Sequence, residues 1–159
     1  MIKHTQNIIV NCDQQKAWSF LTDFSRSLIF DRFFLVVELP RKYSINEDHA
    51  FNVKARYLFN DYSLSGSVID NIPPYKLILK FSDKSNNHII QEKSFKISAK
   101  NDGINLYYSY TSNFDNIFRN ILLYSALKAS CVSELMYIKK AIESSEKYHG
   151  GQKVKTILH

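Results

Sequence analysis

The hydrophobic pattern of this 159-residue chain changes its period once, near Asp115. Before that point apolar and polar residues alternate in short segments separated by turn residues, as in strands that have one wet face. Beyond it apolar residues recur at steps of three or four from Ile117 to Ile142, the pattern of an amphipathic helix. At a rise of about 1.5 Å per residue, a helix of about 30 residues can cross a whole sheet. The chain is therefore predicted to pack one long helix against an antiparallel sheet.

The alternating region is divided into strands by its turn residues. A first strand is predicted over Thr5–Asn11 and another over Leu35–Leu39, where Pro40 ends it. Between Phe51 and Phe59 the odd positions are apolar and the even positions polar, so Phe59 is expected on the inner face with Phe51. Turns are predicted at four polar or proline-containing stretches, Asn60–Asp61, Pro73–Pro74, Asp83–Asn87 and Lys100–Gly103.

A helix follows the first strand. Asp13 can accept the unpaired N–H groups of a first helical turn, and apolar residues at helical spacing continue to Phe24. The next stretch, Ser25–Phe34, is irregular but rich in Leu, Ile and Phe, so it is expected to form a short helix or a packed lid over an apolar surface.

This order of elements resembles the START-like (helix-grip, SRPBCC) superfamily. The resemblance is carried by the opening strand Asn7–Asn11, the capped helix Asp13–Asp23 and the closing helix from about Asp115 to Glu146. It covers about residues 3–146 and is closest to small bacterial members of unknown function. It implies an α+β helix-grip fold, with a six- to seven-stranded curved antiparallel sheet wrapped around the C-terminal helix and short helices after the first strand. One such domain is predicted over residues 1–148, with a loose tail over 149–159.

The resemblance also implies a cavity between sheet and helix, commonly used for lipids, polyketides or other apolar ligands. Tyr57, Tyr108 and Tyr110 would be its polar members, because a buried hydroxyl needs a partner and can orient a ligand. Ordinary core packing is the alternative for each tyrosine and is favoured for any single one. The expected pocket residues are Phe30, Phe34, Phe51, Val53, Tyr57, Leu64, Val68, Leu79, Phe95, Tyr108, Tyr110, Tyr124, Leu127 and Cys131.

Two polar residues complicate this inner face. If the strand that contains Phe95 alternates without a break, Gln91 and Lys93 also point inward, which is costly without a partner. A bulge or edge exposure is the simpler expectation. If both lie inside, they become the best anchors for a carboxylate or phosphate head group. Glu134 is expected on the wet face of the long helix.

No catalytic or metal-binding motif stands out. The five histidines lack metal-ligand spacing, Cys12 and Cys131 are far apart, and no phosphate loop or nucleophile elbow occurs. His49 and His88 each begin a predicted strand, and exposure is favoured over a general-base role for them. No cofactor and no metal are therefore expected.

The formal charge of +6 is spread over separate segments and accompanies no nucleic-acid-binding motif, so no nucleic-acid partner is expected. The window Ile117–Leu127 is interrupted by Arg119 and Asn120 and is too short for a transmembrane span, which needs about 20 apolar residues. With no secretory signal in the first residues, a cytoplasmic location is expected. The oligomeric state stays open.

Three functions are compatible with these patterns. The first is binding or carriage of a small apolar molecule, lipid or polyketide-like, without catalysis. The second is a protein-interaction module that uses an exposed Leu28–Phe34 segment or the basic tail to hold a protein or a membrane surface. The third is a cofactor-free cyclase, dehydratase or isomerase, which would require a buried His or a paired Tyr and acid with perturbed titration. They are ranked in that order, so an enzyme is the less favoured reading.

Overall fold

The computed structural model describes residues 1–41, 43–45, 50–83 and 89–144, together with the backbone of 154–157. The chain folds as an antiparallel seven-stranded sheet that curves around one long helix, which confirms the helix-grip prediction. The strands are β1 (Ile2–Val10), β2 (Phe34–Pro40), β3 (Phe51–Tyr57), β4 (Asn60–Ile72), β5 (Lys76–Asp83), β6 (Ile89–Lys100) and β7 (Gly103–Phe114). Their order across the sheet is β1-β7-β6-β5-β4-β3-β2.

A short eighth strand, β8 (Val154–Ile157), lies inside the stretch 149–159 that the sequence leaves as a loose tail. It pairs in parallel with β2, from Val37 opposite Val154 to Pro40 opposite Ile157. The pairing extends the sheet beyond β2, so backbone groups of that edge strand are paired.

The helices follow the predicted pattern with shifted ends. α1 (Gln14–Thr22) begins where Asp13 accepts a 2.7 Å hydrogen bond from the backbone N–H of Lys16, and it buries its apolar face. It continues into α2 (Phe24–Ser27) and a 3-10 turn at Leu28–Phe30. The long helix α3 (Ile117–Glu143) is capped by Asn116 rather than by Asp115, because the side-chain oxygen Oδ1 of Asn116 accepts a hydrogen bond from the backbone N–H of Phe118.

The turn between β3 and β4 differs from the prediction. Asn60 and Asp61 already belong to β4 and pair with Tyr57 and Arg56, so the two turn residues are Leu58 and Phe59. Leu58 takes up a positive φ of 57°, and Phe59 is 97% exposed instead of facing inward. Alternation fails here because a turn residue has no sheet face.

Packing between sheet and helices is close in the described part of the chain. Gly66 lies opposite Phe51, and a Cβ atom at Gly66 would come within 2.4 Å of the Phe51 ring. The glycine therefore lets the Phe51 ring lie flat across the neighbouring strand, where it also contacts Phe24 and Phe81 at centroid distances of 5.2 and 5.9 Å.

Candidate functional site

The middle of β6 places two polar side chains inside the protein. The registers of β6 with β5 and β7 are unbroken, so Gln91, Lys93 and Phe95 all face the interior. Gln91 and Lys93 are 0% exposed. The expectation of a bulge or edge exposure is therefore wrong, because both side chains have polar partners inside the protein. On β7, Gln91 lies opposite Ser112, Lys93 opposite Tyr110 and Phe95 opposite Tyr108.

Lys93 is bound by two carboxylates. Its Nζ lies 2.8 Å from Asp31 Oδ2 and 2.6 Å from Glu134 Oε1, and both acids are at most 5% exposed. Asp31 is the residue that ends the 3-10 turn, and Glu134 lies in the middle of α3. The ammonium also lies 4.9 Å from the centre of the Phe34 ring. One ion cluster thus ties the sheet, the long helix and the segment before β2 together.

Glu134 is the link between this cluster and the tyrosines. Tyr108 Oη donates a 2.8 Å hydrogen bond to Glu134 Oε2, and both residues are buried. Burial raises the pKa of Glu134 above its usual value, although the positive charge of Lys93 opposes that change. Burial and the Glu134 carboxylate together raise the pKa of Tyr108. A tyrosine hydrogen-bonded to an acid, with both pKa values raised, is the arrangement that the enzyme hypothesis requires.

A second polar pair lies nearer the β3–β4 turn. Gln91 Nε2 donates a 2.6 Å hydrogen bond to Tyr57 Oη, while Gln91 Oε1 has no hydrogen-bond partner among the described residues. Tyr110 lies beside them, opposite Lys93. Burial is the main cause that raises the pKa of both Tyr57 and Tyr110. Both hydroxyls therefore stay protonated at neutral pH and can donate hydrogen bonds.

Aromatic side chains pack beside these groups in two sets. Phe95 stacks on Tyr108 at 4.9 Å between ring centroids, and Tyr57 contacts both Phe33 and Phe114 at 5.2 Å. The predicted pocket residues that are buried are Phe34, Phe51, Val53, Tyr57, Leu64, Leu79, Phe95, Tyr108, Tyr110, Leu127 and Cys131. Phe30 and Val68 are partly buried and pack on the same core. That these residues bind a ligand stays a prediction.

Tyr124 does not share this placement. It is 48% exposed, so the inward orientation predicted for it is wrong. The first fully buried residue of α3 is Leu123, after the first turns of the helix. Tyr124 instead lines a surface cleft of about 350 Å³ with Met1, Ile2, Ile117, Asn120 and Ile121.

The segment Leu28–Phe34 is more buried than the hypothesis of a protein-interaction module allows. Leu28 and Phe34 are buried, and Phe30 lies between Phe20 and Tyr137, with nearly parallel rings at 6.4 and 5.9 Å. Leu28–Phe34 is therefore packed and is not the exposed aromatic surface expected of an interaction module. The basic tail lies outside the residues whose side chains the structure describes.

Sequence reasoning missed the two acids of the cluster. The sequence pattern predicts Glu134 on the wet helix face, yet it is 2% exposed. The signal was present in its position, three residues after Cys131 and four before Ile138, which places it on the apolar stripe. Asp31 carried a weaker signal, an acid inside an otherwise apolar segment. Gln6 and His4, inward-facing on β1, were not singled out either.

The remaining sequence expectations concern titrating and metal-binding groups. His49 and His88 lie outside the described residues. Within the described ranges, no group of three His, Cys, Asp or Glu side chains is arranged to hold a metal ion. α3 is long and apolar enough to meet a length and hydropathy criterion for a membrane span. Its buried face carries Glu134 and packs on the sheet.

Comparison with solved structures identifies the same fold. The protein DR_A0006 of Deinococcus radiodurans superimposes with a TM-score of 0.67 at 9% identity, over 90% of this chain and 98% of its own. A conserved protein of Geobacillus kaustophilus gives a TM-score of 0.62 at 16% identity, over 89% and 95% of the two chains. The di-domain ARO/CYC StfQ of the steffimycin biosynthetic pathway gives 0.67 at 11% identity, over 89% of this chain and 50% of StfQ.

No model of a protein family matches the sequence, and no curated protein matches it. Identities of this size establish a shared helix-grip fold and nothing about a shared reaction.

Proposed function

We propose that this protein binds a small, mostly apolar molecule between the sheet and α3. The observation that carries the proposal is the buried amide of Gln91, whose Oε1 has no partner among the described residues although the side chain is 0% exposed. Buried polar atoms are nearly always hydrogen-bonded, so one that lacks a partner next to Tyr57 and its aromatic neighbours favours a ligand there.

The fold supports the same proposal. StfQ, a di-domain ARO/CYC of a biosynthetic pathway, has this architecture. The surface cleft between the start of β1 and the first turns of α3 is the entrance that we propose, since Ile2 in its lining faces the same side of β1 as His4 and Gln6. A ligand that follows this route would meet Ser112, which pairs with Ile2 on β1 and with Gln91 on β6, and then Gln91.

Native mass spectrometry of the protein purified from its own host tests the proposal. We expect a mass above that of the denatured chain, which reports a retained small molecule and gives its chemical class. A Gln91→Leu variant should lose the adduct, whereas Gln14→Leu, a change of the same kind on α1, should keep it. An unliganded native mass, together with no binding of apolar probes by calorimetry, would contradict the proposal.

A second candidate is a cofactor-free enzyme that moves a proton on the bound molecule. The contact of Tyr108 with Glu134, held in place by Lys93, favours it because each partner has a perturbed pKa. If the co-purifying molecule is a substrate, incubation in D₂O should change its mass with the native protein and not with Tyr108→Phe. If the molecule has the same mass after incubation with either protein, the protein binds it without this proton transfer.

A further inference from the structure

One end of the molecule exposes large apolar side chains from two separate elements. The turn between β3 and β4 is formed by Leu58 and Phe59, and Phe59 is almost fully exposed. The first two turns of α3 also expose large apolar side chains, Ile117, Phe118, Ile121 and Leu122. Phe114 connects the two elements, because its ring contacts Tyr57 and its backbone N–H and carbonyl are hydrogen-bonded to the Asn120 side chain. We call the exposed residues Leu58 and Phe59 and the four of α3 the apolar end.

The composition of the β3–β4 turn is not explained by the fold. Leu58 has a positive φ of 57°, a conformation that Asn and Gly adopt far more readily than Leu. Phe59 buries almost none of its side chain in the described part of the protein. Turns of this length usually carry polar residues or glycine. Two large apolar residues in this turn therefore point to a contact outside the chain.

The outer face of α3 is also apolar, and its charges have one sign. Farther along the helix the exposed large side chains are Tyr124, Val132, Met136 and Tyr137. The structure describes every residue of α3, and the exposed charged residues of the helix are Lys128 and Lys140. Of its two acids, Glu134 is buried and Glu143 lies 3.3 Å from Lys139. A face with exposed apolar side chains and positive charge is complementary to an apolar phase with a negatively charged surface.

The charged residues that flank the apolar end neutralise each other. Arg56 and Asp61 stand on either side of the Leu58–Phe59 turn and are joined by two hydrogen bonds of 2.5 and 2.9 Å. At the start of α3, Arg119 lies 3.3 Å from Asp115. Paired charges lose less on transfer toward an apolar phase than isolated charges do. The apolar end can therefore approach such a phase at a small electrostatic cost.

We propose that the apolar end docks on the surface of a lipid bilayer that contains anionic lipids. Phe59 and the first turns of α3 insert among the headgroups, and Lys128, about two helical turns beyond Leu122, reaches their negative charges. The net charge of +6 adds to the attraction. This docking does not depend on the binding of a small molecule between the sheet and α3.

The shape and charge of the surface favour a bilayer over a second copy of the chain. A turn tip and the outer side of a helix are both convex, so a fluid apolar phase can fit around them, whereas a protein partner would need a matching groove. In a symmetric pair of copies, Lys128 and Lys140 of each helix would face the same surface on the other copy, which has no exposed acid on α3.

Flotation of the full chain with vesicles tests the proposal. We expect the protein to float with vesicles of phosphatidylcholine that contain about one-third phosphatidylglycerol. Flotation should be about fivefold weaker with phosphatidylcholine alone, and about fivefold weaker with the anionic vesicles at ~0.5 M NaCl. A protein that floats with neither kind of vesicle overturns the proposal.

Matched variants locate the contact. Phe59→Ser and Phe118→Ser remove one inserted side chain from each element and should each weaken binding to the anionic vesicles about tenfold. Tyr75→Ser changes an exposed aromatic residue in the turn at the other end of β4 and should bind as the native protein does. Circular dichroism checks that each variant folds. Equal binding by the three variants would contradict docking through the apolar end.

Two further measurements separate this proposal from its alternatives. Sedimentation velocity reports self-association, and a dimer that Phe118→Ser dissociates, without vesicle binding by the native protein, would assign the surface to a second copy and overturn the proposal. Gln91→Leu, the variant designed to lose the small molecule, should float with the anionic vesicles as the native protein does. Failure of the small-molecule function therefore leaves the membrane contact standing.

Discussion

The two halves of α3 reverse the usual distribution of polar and apolar residues. In its first two turns Ile117, Phe118, Ile121 and Leu122 are each at least 66% exposed, whereas Glu134 in its middle is 2% exposed. The difference lies in what each half meets. The first turns of α3 and the start of β1 line a surface cleft. The middle of α3 lies over the inner face of the sheet, where Lys93 and Tyr108 bind the carboxylate of Glu134.

This contrast shows that burial along a helix follows its contacts more closely than its composition. An isolated carboxylate would not be tolerated in the interior, but a cation at 2.6 Å and a hydroxyl at 2.8 Å satisfy both oxygens of Glu134. A buried ion cluster of this kind adds little net stability over well-packed apolar residues, yet removal of one partner leaves the others uncompensated. The predictions below test each side of the contrast, from the largest effect to the smallest.

The largest effect is expected from Lys93→Met. The substitution keeps most of the side-chain volume but leaves Asp31 and Glu134 buried without their cation, which should lower the free energy of unfolding by about 3–5 kcal/mol. Urea denaturation at pH 7 measures the change. Lys96→Met, the same substitution at an exposed position of the same strand, should change stability by no more than about 0.5 kcal/mol. Similar losses in both variants would show that the cluster is not a structural centre.

Two leucines of α3 compare its halves directly. Leu127 is 2% exposed and Leu122 is 67% exposed. Leu127→Ala should lower the free energy of unfolding by about 2–4 kcal/mol through lost burial and the cavity that remains. Leu122→Ala should change it by about 0.5 kcal/mol or less. A large loss at Leu122, measured by the same urea denaturation, would mean that the start of the helix is covered by another surface in solution.

Removal of the Tyr108 hydroxyl tests how much its hydrogen bond to Glu134 contributes to stability. Tyr108→Phe leaves Glu134 Oε2 buried without its donor and should lower the free energy of unfolding by about 1–3 kcal/mol. The adjacent Tyr107 is 43% exposed on the other face of β7, so Tyr107→Phe is the matched control and should have a much smaller effect. Thermal and urea unfolding of the two variants give the comparison. Equal stabilities of the two variants would contradict a structural role for the Tyr108 hydroxyl.

The sequence predicts the apolar side of this contrast better than the polar side. The change of period at Asp115 and the alternation of β3 to β7 are enough to place sheet, helix and nearly all of the core. Alternation also points Lys93 inward, but the cost of burying its charge argues against that placement unless a partner is known. Its partners come from residues 62 positions before it and 41 after it, and a pairing over such separations leaves no local pattern in the chain.

The exposed residues of the helix start could not be predicted for a related reason. Ile117, Ile121 and Tyr124 continue the stripe of Leu127 and Cys131, so periodicity alone treats them as one face. Whether that face is covered depends on how far the inner surface of the sheet extends beneath it. That distance is set by the tertiary arrangement of β1 and α3, which hydropathy does not encode.

The smallest effect tested is a dependence on pH. The pKa of Glu134 is raised by burial above its ordinary value of 4.5, so the folded protein binds a proton that the unfolded chain releases. Its contribution to stability is fully present below about pH 4.5 and is lost as the pH rises through the folded pKa, with a slope of at most about 1.4 kcal/mol per pH unit. Glu134→Gln cannot ionise, so the stability of the native protein relative to this variant should decline as the pH is raised from 4.5. Urea denaturation of both proteins at several values between pH 4 and 8 measures this difference, and Glu92→Gln controls for net charge. A difference that stays constant over this range would mean that Lys93 outweighs burial and keeps Glu134 ionised, which would make the buried cluster a permanent net negative charge.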